Sequence, residues 1–388
     1  MEQKKKLLYI TRYYTDQEFH LKKKFDGQIA AFKNLGFDTF FIGIGKNYLF
    51  LIHNEDKTIY GKTHYNLPHY IHTQLYNDLH KVAIKAIYKI GFDYVYWRSA
   101  PLWRSSCKVA EAVNETGGKL LLEIPTFPNR EAPLNNLRKL FSIYSNYFRK
   151  RFELFVDYYV VIGEDANGEY KGKPAINIEN GIDINGLSVR KPIIDNDSVH
   201  ILALASMSYW HGYDRLLKSL AEYNGNQNVI IHMVGGNEGG SLLEWKELAK
   251  ELGIDNKVVF HGGLYGRELD EMVNHSDLGV AALAVYRKGF SYISELKTRE
   301  YTARCLPFIL AAEDVIISKS PKKFWVQITN DSQIPDMEEI ISFALRMRKD
   351  QTIIPYMRDF AEKNLTWSVQ YKKLFDEIEK LQNQVVDN

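Results

Sequence analysis

Short apolar runs alternate with amphipathic stretches along nearly the whole chain. Lys6–Ile10, Thr39–Ile42, Tyr94–Trp97, Leu120–Ile124 and Tyr158–Ile162 predict buried strands in the first half. Val199–Ala203, Val229–Val234, Val258–His261, Leu278–Ala282 and Pro307–Ala311 repeat the pattern in the second. Helical periods lie between them: Phe25, Ile29, Phe32 and Leu35 share one face of a predicted helix that Gly36 closes. Such alternation builds parallel sheets covered on both faces, because each crossover lays a helix against the sheet. The expected class is therefore α/β, with two doubly wound sheets whose strand C-terminal ends open onto a ligand cleft. The polar stretch Asn185–Ser198, which carries Pro192, reads as the interdomain linker, dividing the chain into 1–185 and 186–365. In the tail, 366–388, Trp367, Tyr371, Leu374, Ile378 and Leu381 fall on one side of a predicted helix.

A length of 388 residues suits two domains, and 45% apolar with 25% charged residues is ordinary globular composition. A net charge of +2 with no basic arm sets nucleic-acid binding aside. Cys107 and Cys305 are far apart and fit neither a disulfide framework nor a metal knuckle, so reduced buried thiols are expected. The N-terminus is basic, but its apolar run, Leu7–Ile10, is shorter than the roughly 7–15 residues of a signal-peptide core. No stretch approaches the ~20 apolar residues of a membrane span, and a cytoplasmic protein is expected.

The most informative segment is Ser291–Ala311. It places Glu300 in a predicted helix that follows a loop and ends before Leu306, Pro307 and a strand. Loop N–H groups and the helix N-terminus suit a diphosphate, since both present donors to negative oxygen. A carboxylate one turn further in can accept hydrogen bonds from two vicinal ribose hydroxyls. The alternative is a solvated helix residue pairing with Lys297 three positions earlier. In the first half, Arg98 follows one predicted strand, while Glu123 and Thr126 close the next. They are candidates for touching an acceptor or the transferred sugar; an ion pair between Arg98 and Glu123 is the structural alternative.

Ser294-Glu295-Leu296-Lys297-Thr298-Arg299-Glu300-Tyr301, followed by Ala303, Leu306 and Pro307, resembles a stretch of the family-4 retaining glycosyltransferases. In that family the glutamate corresponding to Glu300 binds the donor ribose. Other landmarks follow in order. Asn180-Gly181-Ile182-Asp183 resembles the end of the family's N-terminal domain, and Ala205-Ser206-Met207 with Tyr209–Asp214 the loop after the first strand of its second domain. Val234-Gly235-Gly236 resembles a strand end, Phe260-His261-Gly262-Gly263 and Asp277 the base-side motif, and Trp367 the opening of the last helix. The likeness covers 180–388 well and the first half weakly. It implies the GT-B fold, two Rossmann-like domains facing a cleft, with the last helix crossing back to the N-terminal domain. It further implies metal-independent transfer of a sugar from a UDP- or GDP-type donor to a glycan or lipid-linked acceptor, in bacterial-type polysaccharide or glycoconjugate synthesis. The donor site would draw on Glu300, Glu295, Leu296, Ser294, Gly235, Gly236, Gly262, Gly263 and Ser206, with Arg98, Glu123, Thr126, His211 and Lys297 as catalytic candidates.

The chain departs from the family at the first glutamate of its donor-binding pair, which falls at Tyr292, and at the phosphate-neutralising Arg and Lys, which fall near Ser206 and His211. Charge for a leaving diphosphate must come from Lys297, Arg299, Arg287 or Lys288. These departures keep two other classes open, a non-catalytic GT-B partner that binds glycan or protein and a nucleotide-sugar epimerase. Lys22-Lys23-Lys24 lies where the family has a glycine-rich loop, and it reads as a solvated charge run. Asp195-Asn196-Asp197 lies in the linker and His64, His69, His72 and His80 follow no ligand spacing, so no metal site is expected. Finally, 134–155 is a basic amphipathic helix carrying Arg138, Lys139, Arg149, Lys150 and Arg151 with interleaved aromatics. It suits either an anionic membrane face or packing with a solvated basic side.

Overall fold

The computed structural model describes residues 4–16, 21–63, 72–99, 102–127, 136–192, 197–237 and 239–386, and among them the side chains of all but 72–73, 136–144 and 385–386. The chain forms two compact units, one of 1–183 with 367–388 and one of 184–366.

The first unit runs β1 (Lys6–Tyr14), α1 (Lys22–Asn34), β2 (Asp38–Ile44), β3 (Tyr48–His53), β4 (Asp56–Lys62), α2 (His72–Ile90), β5 (Tyr94–Arg98), α3 (Arg104–Glu115), β6 (Lys119–Phe127), α4 (Asn136–Glu153), β7 (Tyr158–Gly163), β8 (Glu169–Tyr170) and β9 (Lys173–Ile178). Its sheet is ordered β4-β3-β2-β1-β5-β6-β7-β9-β8, parallel from β2 through β9, with antiparallel β3–β4 and β8 at the edges. Alternate β1 residues serve opposite faces. Leu8 and Ile10 join the core under α2 and α3, while Leu7 and Tyr9 join Phe25, Ile29 and Phe32 of α1. Every predicted strand of this half is present; the β3–β4 hairpin and the β8–β9 edge are additions.

The second unit runs β10 (Ser198–Leu204), α5 (Tyr213–Glu222), β11 (Asn228–Val234), α6 (Leu242–Glu251), β12 (Val258–Gly262), α7 (Gly266–His275), β13 (Leu278–Val280), α8 (Leu296–Ala303), β14 (Phe308–Leu310), β15 (Trp325–Gln327), α9 (Met337–Lys349) and α10 (Ile353–Asn364). Its all-parallel sheet is ordered β12-β11-β10-β13-β14-β15. That is the doubly wound order in which the winding reverses between the first and fourth strands, β10 and β13. Ligands in such sheets bind beyond the strand C-termini at that reversal.

The stretch read as the interdomain linker begins where the first unit ends, and its described part packs into the second unit. Arg190 is buried, donating to the Ser276 carbonyl through its side chain (3.0 Å) and to that of Arg304 through its N–H (2.9 Å). Residues 193–196, with the Asp195-Asn196 pair, lie outside the described residues, as do His64, His69 and the side chain of His72.

The last helix, α11 (Trp367–Val386), returns to the first unit. Trp367, Tyr371, Leu374 and Ile378 are buried against α1, with Leu381 at the margin. Tyr371 stacks on Phe32 with ring centroids 4.3 Å apart. A Cβ on Gly181 would come within 2.7 Å of the Trp367 backbone and ring, so the Asn180–Asp183 turn needs glycine to seat the helix. No helix among the described residues is long and apolar enough to cross a membrane. Both cysteines are free and buried.

Candidate functional site

In the second unit the two loops at the winding reversal follow β10 and β13. After β10 the chain passes Ser206, makes a short 3₁₀ turn at Tyr209–His211 and enters α5. After β13 it passes a second 3₁₀ turn, Val285–Lys288, and reaches α8. The loops are tied together: the Leu283 N–H donates to the His211 carbonyl (2.8 Å). Arg287 holds both oxygens of Asp214 (2.8 and 2.7 Å) and donates to the Tyr209 carbonyl (2.7 Å).

This arrangement sorts the four candidate cations. Arg299 is fully buried and ion-paired with the equally buried Asp314, and Arg287 is neutralised by Asp214. Neither is open to a ligand, which corrects their place among the diphosphate candidates. Lys288 and Lys297 form no ion pair within the described residues. Their ammonium groups stand 3.9 and 6.0 Å from the Trp210 ring centroid, and Lys297 also donates to the Tyr213 hydroxyl (3.1 Å). Desolvation lowers both pKa values against the opposing pull of Glu295.

Glu295 is the N-cap residue of α8, with φ −79° and ψ 141°. Its Oε2 accepts from the Ala282 N–H (3.1 Å), while its buried Oε1 has no hydrogen-bond partner. A buried carboxylate oxygen left unsatisfied is uncommon and calls for a group to fill it. The leading N–H groups of α8, beginning at Leu296, have no intrahelical acceptors and add partial positive charge. Ser294, just ahead, accepts from Arg299 (3.2 Å).

His211 is buried, and burial, followed by the fields of Lys297 and Lys288, depresses its pKa strongly. It is neutral at physiological pH and cannot replace a phosphate-neutralising lysine. Its Nδ1 accepts from the Ser208 N–H (3.0 Å), which puts the ring proton on Nε2. His211 is thus a fixed neutral donor. Ser206 is exposed and brings no charge.

Glu300 lies in α8, as the sequence predicts, but its structural partner differs from the expected one. Oε1 accepts from Arg304 Nε (3.0 Å), four residues on, rather than pairing with Lys297. Arg304 also pairs with Asp270. Gly235 has φ +135°, and a Cβ there would lie 1.7 Å from the Ala205 carbonyl oxygen, so internal packing already requires glycine. Gly236 is half-buried, and Gly262 and Gly263 are exposed beyond β12.

The first-unit candidates part company. Glu123 has no exposed surface and both oxygens are occupied: Oε1 by Arg98 (2.7 Å) and Lys24 (3.7 Å), Oε2 by Tyr96 (2.8 Å) and Gln28 (3.1 Å). Burial raises its pKa, but Lys24, Arg98 and the two hydrogen bonds bring it below the usual value. With both oxygens engaged and no exposed surface it offers nothing to a substrate, which corrects its assignment as a contact residue. Arg98 is committed to Glu123 and Thr126 is exposed at the end of β6. Lys24 is likewise no part of a solvated run: it is buried, donates to Asn180 (2.8 Å) and lies over the Trp367 ring. Burial pulls its pKa down to about 8 against the attraction of Glu123.

Comparison with known proteins bears on the second unit most. Residues 187–293 match the family model of Glycosyl transferases group 1, a match that ends just before α8. No curated protein matches the chain's sequence. Among solved structures, a glycosyltransferase from Rickettsia africae aligns with TM-score 0.63 at 15% identity, covering 98% of this chain and 99% of that one. Sucrose-phosphate synthase from Thermosynechococcus elongatus aligns with TM-score 0.64 at 12% identity over 99% and 100% of the two chains. Anabaena Alr3699/HepE, in a complex with UDP, aligns with TM-score 0.60 at 13% identity over 97% and 100%. With both parallel sheets matched over nearly the full length, the fold is GT-B.

Proposed function

We propose that the chain is a retaining glycosyltransferase taking a sugar from a UDP- or GDP-type donor to a glycan or lipid-linked acceptor. The observation that carries this reading is the pair of lysines without ion-pair partners among the described residues, Lys288 and Lys297, gathered over Trp210 at the winding reversal. Two partly desolvated ammonium groups beside a helix N-terminus favour a dianionic leaving group over a neutral ligand. The matched segment and the UDP complex of Alr3699/HepE support a nucleotide-sugar as that ligand.

In this reading the diphosphate lies against Lys288, Lys297 and the leading N–H groups of α8, with the Nε2–H of His211 as a neutral donor. The free Oε1 of Glu295 accepts a hydrogen bond from a hydroxyl of the transferred sugar, the task that Tyr292 cannot perform. Glu300 turns from Arg304 to the ribose hydroxyls. The departing diphosphate is stabilised by fixed charge, without a metal, and accepts the proton of the incoming hydroxyl. The basic face of α4, with Lys150 and Arg151 exposed beside exposed Tyr147, meets the anionic surface where a lipid-linked acceptor sits.

A second reading, a non-catalytic GT-B partner, draws on the uncharged Ser206 and the neutral His211. Calorimetry with UDP, GDP and ADP on the parent and Glu300→Ala separates them. The parent should bind one diphosphate, and the variant should lose about 100-fold, because two hydrogen bonds to a charged group are worth roughly 3–6 kcal/mol before solvent recovers part. A parent that binds none supports the partner reading, and equal affinities remove Glu300 from the site.

A further inference from the structure

Outside the loops at the winding reversal, the second unit gathers four of the chain's 11 histidines at one place. His200 stands on β10, His232 on β11 and His261 on β12, three adjacent strands, and His275 is the last residue of α7. We propose that His200, His232 and His275 bind a divalent transition-metal cation of the Zn²⁺ class, with His261 holding His232 in position.

One ring nitrogen from each of the three lies within 4.8 Å of the other two. His200 Nδ1 and His232 Nε2 are 2.9 Å apart. Zinc bound tetrahedrally at about 2.0–2.1 Å sets its ligand nitrogens about 3.3 Å apart, so small ring movements convert the cluster into a ligand set. The ion takes the place of the proton shared between His200 and His232, and His200 carries its own proton on Nε2 instead.

The surroundings complete the site. His232 Nδ1 meets His261 Nε2 at 2.9 Å, the outer hydrogen bond that fixes the tautomer and ring plane of a ligating histidine. His200 and His232 are each 6% exposed, whereas His275 is exposed, so the cluster is enclosed on the sheet side and open to solvent at the helix end. Exposed His275 leaves the ion an entry path. The C-terminal end of α7 carries partial negative charge, which favours a cation beside His275. The neighbouring Asp277 accepts from the His200 N–H (2.9 Å) and is paired with Arg348, so it neither ligates nor leaves net charge.

The test uses the full chain, made without a histidine tag, stripped with a chelator and titrated with Co²⁺ by visible absorption, then with Zn²⁺ in competition. One equivalent of Co²⁺ should bind with the intense bands of a four- or five-coordinate ion, and Zn²⁺ should displace it. His275→Gln, on the surface, should lower affinity by about 100-fold or more, and His261→Gln by about 10–100-fold, the usual effect of losing an outer partner. His53→Gln, in the other unit, should leave it unchanged. Absence of saturable binding, or binding that neither His275→Gln nor His261→Gln weakens, would overturn the proposal. Nucleotide affinity is not among the readouts, so failure here leaves the donor site untouched.

Discussion

Replacing Glu123 by Gln is the sharpest test of the first unit, because it separates a structural carboxylate from a catalytic one. The substitution keeps volume and removes one charge from a site with no exposed surface. Arg98 and Lys24 then face each other across a neutral amide, and Lys24 is left buried without its counter-charge. The new NH₂ group must also meet either these two cations or the donors Tyr96 and Gln28. Breaking a buried pair from one side costs about 3–5 kcal/mol. For a unit of this size that lowers the melting temperature by about 6–20 °C. The pH dependence has a definite sign. Lys24 has a folded pKa of about 8 against an ordinary 10.5, so the unfolded chain binds that proton more tightly. Its contribution to stability therefore rises with pH between those values and is lowest below about 8. Without Glu123 the folded value falls further, and the variant's deficit should shrink as pH rises from about 7 to 9. The double variant Lys24→Met, Glu123→Gln should be more stable than Glu123→Gln alone. Urea denaturation followed by tryptophan fluorescence, with hydrogen exchange to localise the transition, measures both. A Glu123→Gln protein of parental stability that lacks transferase activity would refute this reasoning and restore Glu123 as a substrate contact.

Deleting 367–388 should leave the α1 face uncovered and yield insoluble protein, and Gly181→Ala, which collides with Trp367, should lower the melting temperature; a soluble truncation melting like the parent would refute the helix's bracing role. Changing Arg149, Lys150 and Arg151 to Glu should abolish sedimentation with anionic liposomes at low salt. Because Arg151 pairs with Glu111, the variant's folding is checked by circular dichroism, and unchanged sedimentation removes the membrane contact.

What the sequence made legible follows the apolar periodicity. The buried strands and α11 carry runs that only a covered sheet or helix face explains. The β3–β4 hairpin escaped because β4 is mostly exposed and its DKTIYGK sequence shows no apolar alternation. Lys24 was misjudged because its cover comes from Trp367 and Asn180, distant in sequence, while its neighbours Lys22 and Lys23 look solvated. A signal was nonetheless present: a glutamate inside the run Leu120–Ile124 demands buried donors, and Lys24 and Gln28 fall on one face of α1 at the right spacing. The histidine cluster had no local signal. His200, His232 and His261 become neighbours only through the strand order β12-β11-β10.

On the proposed reading, the cations of the second unit supply the charge that the resemblance places elsewhere. The resemblance places an Arg and a Lys in the loop after β10, where this chain has Ser206 and a buried neutral His211. Four basic residues stand instead after β13 and at the start of α8, but counting them overstates the available charge. Asp214 takes up Arg287 and Asp314 takes up Arg299, each through a pairing that also ties a loop or helix into the unit. Lys288 and Lys297 remain, and both approach Trp210, which belongs to the loop after β10. On the proposed reading, positive charge has therefore crossed the winding reversal: it is supplied from the β13 side and positioned by an aromatic ring from the β10 side. The two loops act on one diphosphate only if they stay joined. The Arg287–Asp214 pair and the Leu283–His211 backbone hydrogen bond are then part of donor binding, although neither bond is itself made to the donor.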